Sequence, residues 1–516
     1  MDQFSWVDGG IVGLYLLATM TAGVMVRKYV GKVEHFLVAG REMNVYLGIA
    51  SLAATEFGIV TCMYTAQNGF QKGFAGATPG ILVAIAMLVV GLTGFCIKPL
   101  RDAGVITIPE LFEKQFGPRI RWASGVVIVL GGLLNMGVFL RTGGDFLVTV
   151  CGLDPKYLTI MMTALLLMVA TYTILGGMLS VLVTDFLQFI VMSAGMLAVT
   201  LLILTKVGWS SLVAAVEQHY GAGGFNPFLH PRMGPAYVLF NAIGAFAVVL
   251  TWQTMVQRVL SAKDSRVGLQ VYSRTSFFFV CRFLIPGLWG IAALATLAPE
   301  QLSQLVSPQE AAVLSPQQIQ DRIELLAMPK FLSGGFVPIG LMGLLVAAML
   351  AADMSTDSAY MLTWGGVIYN DILAPFRKKA WSEKRGILVN RFIVACIGLF
   401  LLFYGLWYKL EGDLWSYLLL TGAIYFSSMS ILLVACCYWK RANSWGAAGA
   451  IVAGAAIPIA FLILEKWPVT AELAKGIGPN VSGISAYVVA ALAMIVGSLL
   501  KPQHGSGDAS AAHSSR

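Results

Sequence analysis

The strongest constraint on this chain is a succession of long runs without a charged residue. Gly73–Ile97 gives 25 residues, Trp122–Leu140 gives 19, Tyr157–Thr184 gives 28 and Met233–Gln257 gives 25. About 20 apolar residues in a helix cross the hydrocarbon core of a bilayer. Backbone polar groups in lipid must be paired internally, so only helices or closed barrels span it. A barrel would show short alternating segments, and this chain shows continuous apolar blocks. Only 12% of its 516 residues are charged, about half the share of soluble proteins. The seven Cys are scattered without a CxxC pair, and the five His do not cluster. That pattern gives neither a zinc site nor a disulfide framework.

Thirteen apolar blocks are expected to span. The 28-residue run must end near Gly176-Gly177, because the next span begins there. The first block, Gly9–Val26, is followed by Arg27-Lys28 and preceded by no basic residue. This order reads as a retained span with its N-terminus outside, not as a signal peptide. Alternating the spans from there assigns 22 Lys and Arg to inner loops and 9 to outer loops. Lys72 falls in an outer loop and Arg258 in an inner one. The asymmetry predicts N-terminus out and C-terminus in. The net charge of +8 therefore reports orientation and not nucleic-acid binding. The expected organisation is one transmembrane domain over 1–500. It comprises an extra helix at 7–27, a first repeat at 42–208, a second at 233–439 and two further helices at 442–500. Residues 501–516 read as a disordered cytoplasmic tail.

Five spans separate the start of span 2 from the start of span 7, so spans 2–6 and 7–11 run in opposite orientations. Both starting spans carry helix-breaking features. Span 2 holds Ala53-Ala54-Thr55-Glu56-Phe57-Gly58, and span 7 holds Asn241-Ala242-Ile243-Gly244. Discontinuous helices at matching places of two inverted halves point to a midplane transport site.

Five ordered motifs carry a specific resemblance. They are Phe36-Leu37-Val38-Ala39-Gly40-Arg41; Lys98-Pro99-Leu100-Arg101 with Gly104 and Thr107; Tyr172 to Gln188 around Gly176-Gly177; Gln257-Arg258-Val259-Leu260-Ser261-Ala262-Lys263; and Ala351-Ala352-Asp353-Met354-Ser355-Thr356-Asp357-Ser358. Over residues 36 to about 440 the chain resembles the sodium/solute symporter family. This group holds bacterial proline, galactose and sialic acid symporters and animal glucose and choline transporters. The resemblance implies an all-α polytopic membrane protein with a leucine-transporter-like 5+5 inverted repeat.

The resemblance also implies a sodium site. Sodium takes hard oxygen ligands, and a helix frees carbonyls only where it breaks. Ser355 and Thr356 supply hydroxyls, Ala352 a carbonyl, and the broken span 2 the carbonyls of Ala54 and Phe57. The plainer alternative is that both hydroxyls bond back to their own helix. Asp185 lies between two apolar runs, where a carboxylate costs about 2.5–3.5 kcal/mol on insertion scales. Its family counterpart lies on the inward route of sodium and implies a possible second ion. A structural hydrogen bond is the alternative.

Glu56 is expected to face the central cavity, with sodium, a cationic solute or Arg141 as its partner. Arg141, in span 4, suits a solute carboxylate, or else snorkels or pairs with Asp145. Trp252-Gln253 resembles a choline-transporter pair, and Trp can hold a quaternary ammonium, though packing is the commoner use. Asp353 and Asp357 share a helix face and depart from the family pattern, with Arg282 and Arg391 as candidate partners. Val248 and Val249 stand where the galactose symporter has aromatics, which argues against a hexose.

The leading function is sodium-coupled symport of a small organic solute by alternating access in a cell membrane. The solute is an amino acid, a carboxylate or an organic cation. A proton-coupled carrier on the same fold and a solute-sensing receptor are the alternatives; no kinase or receiver segment follows Leu500. No HExxH, GxSxG or acid–His pair suggests an enzyme.

Overall fold

The computed structural model describes residues 4–501 except 378, 380, 408–412 and 468. The expected tail lies outside the described residues apart from Lys501. The principal helices are α1 (Trp6–Met25), α2 (Val45–Thr55), α3 (Ile59–Lys72), α4 (Thr78–Thr93), α5 (Pro118–Met136), α6 (Phe139–Val150), α7 (Leu158–Lys206) and α8 (Gly234–Thr251). They continue as α9 (Gln253–Ser261), α10 (Ser265–Thr296), α11 (Pro316–Ser333), α12 (Leu341–Val367), α13 (Glu383–Trp407), α14 (Leu414–Tyr438), α15 (Ser444–Lys466) and α16 (Ala471–Leu500). Among the described residues there is no strand, only an isolated parallel bridge between Met43 and Ala262.

Among the described residues, eleven helical stretches are long and apolar enough to cross a membrane. Two of them, Ile59–Thr93 and Leu158–Lys206, each run through parts of two expected spans, and α2 is too short to count alone. The eleven and the expected thirteen part at these places. At 1.5 Å per residue, a straight α7 of 49 residues would measure about 70 Å, more than twice the hydrocarbon core. It turns at Gly177, where φ is 54° and ψ −148°. A Cβ there would meet Phe36 at 2.6 Å, so this position needs glycine for both conformation and space. Two segments between long apolar spans are largely helical, as Trp209–Tyr220 and α11 show.

Burial separates the helices. Every residue of α3 is buried, and so is every residue of α12 from Leu345 to Val367. A helix enclosed all round occupies the centre of a bundle. The most apolar stretch of α7 is only 33% buried, which suits a peripheral helix with one face toward lipid. α15 and α16 pack chiefly on each other and on α14.

Three of the five sequence motifs interlock at one end of the bundle. The guanidinium of Arg41 donates to Gly104 O at 2.7 Å, and that of Arg101 to Ala262 O at 2.6 Å. Gln257 donates to Leu37 O at 2.6 Å. Backbone bonds from Met43 N to Ser261 O and from Lys263 N to Met43 O tie the ends of α2 and α9. These contacts hold the start of α2 against the end of α9.

Candidate functional site

The first interruption falls where the sequence placed it. α2 ends at Thr55, Glu56 leaves the helical region, and Gly58 is extended before α3 begins. A Cβ on Gly58 would meet Thr356 Oγ1 at 2.8 Å, so glycine lets α12 close on the break. The second interruption does not fall where expected. α8 runs unbroken through Asn241 and Gly244 and stops at Trp252, with φ −63° and ψ 107°. Asn241 stays helical because its Nδ2 donates to Tyr237 O, one turn back, at 2.9 Å. A single glycine costs a helix only about 1 kcal/mol.

At the first break two hydroxyls of α12 meet carbonyls of α2. Ser355 Oγ lies 2.9 Å from both Ala54 O and Ala352 O. Thr356 Oγ1 donates to Thr55 O at 2.9 Å, where the sequence pointed to the Phe57 carbonyl. Phe57 turns its N–H to Ala54 O at 3.3 Å and its ring edge to Phe278. Ala54, Ala352, Ser355 and Thr356 are thus brought together, with Thr55 in place of Phe57. All are almost completely buried. Two hydroxyls and three carbonyls in one enclosed spot form an all-oxygen set suited to a hard monovalent cation.

Asp185 lies one layer further along α2. Its Oδ2 accepts from Ser51 Oγ at 2.5 Å and Thr55 Oγ1 at 3.3 Å, and faces Arg258 at 3.3 Å. Neither charged side chain is exposed. Arg258 also bonds the hydroxyls of Ser51 and Thr55. Counting Arg258 with the inner loops was therefore wrong, although its motif had marked it out. Lys72, placed in an outer loop, is also buried. Removing both leaves 21 basic residues against 8, so the asymmetry stands. Thr55 joins the two layers: its hydroxyl meets Asp185 and its carbonyl meets Thr356.

Glu56 is 3% exposed. Its Oε1 accepts from Thr254 Oγ1 at 2.8 Å, and its Oε2 lies 3.5 Å from Arg282. Arg282 also donates to Tyr64 Oη at 2.8 Å. The partner of Glu56 is thus Arg282 and not Arg141. Arg141 is half-buried and makes no ion pair among the described residues. Asp145, its neighbour one turn on, is held by Arg322 at 2.8 Å. Chain proximity suggested an Arg141 pair, but α11 brings a better-placed cation.

Asp353 and Asp357 do share a face, each 2% exposed. Neither proposed partner reaches them. Arg282 is engaged by Glu56, and Arg391 donates to Leu175 O. A Cβ on Gly143 would sit 3.2 Å from Asp353 Oδ1. That glycine therefore gives the carboxylate its room.

Trp252 sits among aromatic rings, 5.2 Å from Tyr360, 5.5 Å from Trp364 and 5.5 Å from Phe426, centroid to centroid. Tyr425 is stacked at 6.0 Å. Tyr360 and Trp364 extend the face of α12 that begins with Asp353 and Asp357. Gln253 is buried beside them, and its Oε1 has no partner among the described residues.

The chain matches the family model described as "Sodium:solute symporter family" over residues 36–454. It is 26% identical over 491 residues to sodium/glucose cotransporter 4 of Danio rerio, covering 89% of this chain and 72% of that protein. It is 24% identical over 513 residues to the osmoregulated proline transporter OpuE of Bacillus subtilis (strain 168), covering 95% and 94%. Among solved structures it is similar to a sodium-coupled sialic acid symporter in a substrate-bound outward-open state. The TM-score is 0.77 at 19% identity, covering 97% of this chain and 99% of that one. A nucleobase-cation-symport-1 family transporter shares the fold at TM-score 0.51 and 16% identity, covering 91% and 96%. The match covers most of the chain and takes in all five motifs: the protein belongs to the sodium:solute symporter family.

Proposed function

We propose that the chain carries a small organic solute through the membrane with sodium, bound by Ala54, Thr55, Ala352, Ser355 and Thr356. The observation that carries this assignment is the meeting of both α12 hydroxyls with carbonyls freed at the α2 break. Each sodium entering down 100 mV supplies about 2.3 kcal/mol. The solute is bound beside the ion, between Glu56, Arg282 and the aromatic rings around Trp252. A buried carboxylate and guanidinium at 3.5 Å favour a solute bearing charge over a hexose. Asp185 and Arg258 form the inward side of the ion's path. Thirteen crossings, with the N-terminus outside and the C-terminus inside, place the described helices in one domain of two inverted repeats and two further helices. The relatives are transporters by name, which supports a carrier rather than an enzyme.

The test is uptake by proteoliposomes from a panel of labelled amino acids, carboxylates and organic cations, with sodium or potassium outside. A solute taken up only with sodium supports the reading. A solute driven equally by a proton gradient in potassium would overturn it.

A further inference from the structure

The segment joining α12 to α13 carries a basic cleft that neither the ion nor the central solute site uses. The cleft has a volume of about 670 Å³. Arg377, Lys379 and Arg385 line it with Phe376, Trp381 and Ser382. No carboxylate lines it. The acids nearest in sequence are engaged elsewhere: Asp371 takes Arg121 at 2.8 Å, and Glu383 accepts from Val33 N at 2.7 Å. The three cations of the cleft therefore stand without an ion pair among the described residues.

Arg377 is already in position. Its Nη2 donates to Tyr369 O, in the turn that follows α12. Its guanidinium carbon lies 4.2 Å from the centre of the Tyr369 ring and 4.7 Å from that of Trp381. Arg385 approaches the same Trp381 ring at 5.2 Å. A cation held on an aromatic ring loses little further freedom when an anion arrives. Three like charges around one opening repel one another. A phosphate relieves that repulsion and offers guanidinium the oxygens it binds best.

The cleft also lies at the depth of a lipid headgroup. From Arg385, α13 continues through Leu388, Phe392, Leu399 and Phe403. The steps of three, four, seven and four residues keep them on one face. All four apolar side chains are more than half exposed. From Arg385 to Phe403 the helix rises about 27 Å, close to the thickness of the hydrocarbon core. That face is a lipid-facing stripe, and the cleft opens at its end. Trp381, which lines the cleft, is a residue type enriched at the membrane–water boundary. A free anion would use the three charges alone, whereas a phospholipid uses the charges and the stripe together.

We propose that this cleft is a headgroup site for an anionic phospholipid. The lipid phosphate meets Arg377, Lys379 and Arg385, and an acyl chain lies along Leu388 and Phe392. Arg377 reaches back to the turn after α12, and Arg385 belongs to α13, so a lipid held by both braces the junction of the two helices. The segment belongs to the side to which the charge asymmetry assigns most Lys and Arg, and the lipid comes from that leaflet.

Phosphatidylglycerol, phosphatidylcholine and glycerol 3-phosphate are the probes, added to the purified full chain in a neutral detergent. The thermal unfolding midpoint is followed against probe concentration. Phosphatidylglycerol is expected to raise the midpoint more than phosphatidylcholine, whose own cation offsets its phosphate. Glycerol 3-phosphate, which lacks the chains, should give no shift over the same concentrations. Lys379→Gln with Arg385→Gln removes two exposed cations. This variant should weaken the apparent phosphatidylglycerol affinity about thirtyfold, each cation near an anionic lipid surface being worth about fivefold. Lys440→Gln with Arg441→Gln removes as much charge from exposed positions of another basic loop and should leave the affinity unchanged. The proposal is overturned if phosphatidylglycerol gives no shift, or if phosphatidylcholine or glycerol 3-phosphate matches it. It is also overturned if the cleft variant responds like the parent, or if the Lys440 and Arg441 variant loses as much affinity.

Discussion

The two interrupted helices are interrupted differently. Between α2 and α3 the chain leaves the helix for Glu56, Phe57 and Gly58, turning carbonyls toward the hydroxyls of α12 and placing a carboxylate in the opening. Between α8 and α9 it departs at Trp252 alone, within a shell of aromatic rings. The first break therefore exposes oxygen, and the second exposes a ring and one hydroxyl, that of Thr254. Inverted halves need not divide chemistry equally. In the proposed site span 2 supplies two carbonyls, those of Ala54 and Thr55, to meet the hydroxyls of α12. Span 7 supplies the countercharge, through Arg258 one turn past Thr254.

That division breaks most visibly at the buried ion pair. Arg258→Met leaves Asp185 charged and without a cation, an outcome that costs about 3–5 kcal/mol. The thermal unfolding midpoint should fall sharply. Adding Asp185→Asn should recover most of the stability while sodium-coupled uptake stays low, as it should in Asp185→Asn alone. A double variant with parental uptake rate and stoichiometry would make the pair structural.

Replacing Ser355 and Thr356 by Ala removes the two hydroxyls that span 2 meets. The half-saturating sodium concentration for uptake should rise at least about tenfold, the equivalent of one lost ion-ligand interaction of about 1.4 kcal/mol. The protein should still insert and bind antibody at the surface of cells. An unchanged sodium dependence would move the ion elsewhere.

A smaller effect separates ion from solute at the same break. Glu56→Gln keeps the shape and removes the charge. Solute affinity should fall about tenfold, as for one charged hydrogen bond, while sodium affinity holds. Pairing it with Arg282→Gln should restore part of the loss, because it removes the guanidinium left unpaired. The reverse order of effects would assign Glu56 to sodium.

The smallest effect lies outside both breaks, on α11. Burial pushes the Asp321 carboxyl up to about 6, against the hydrogen bond from Gln317, and the Asp413 and Glu324 carboxylates add to the rise. The folded value exceeds the ordinary one of about 3.9, so the fold favours the protonated form. This contribution is complete below about pH 4 and is lost as pH rises through about 6. Amide exchange in residues 316–333, corrected for its intrinsic pH dependence, should show a few-fold more protection at about pH 5 than at about pH 7.5. Asp321→Asn should flatten that difference.

Much of this was legible in the linear chain because it depends on neighbours in sequence. Run length and charge spacing report the membrane, since insertion reads each segment's own hydrophobicity. The turn at Gly177 and the break at Glu56–Gly58 follow from local composition. So does the convergence of Ser355 with Ala54, once the family pattern is known. The second break was misplaced because Asn241 and Gly244 are permissive without being decisive, while Trp252 breaks the helix within a shell drawn from α12 and α14.

The pairing of charges was decided only in three dimensions. Glu56 with Arg282, Asp185 with Arg258 and Asp145 with Arg322 each join residues from helices far apart in the chain. The sequence instead offered Arg141 as one partner for Glu56 and, by proximity, for Asp145. A charge in a low-dielectric interior is governed by the nearest countercharge through space. Which countercharge is nearest depends on how whole helices pack, and no single segment encodes it.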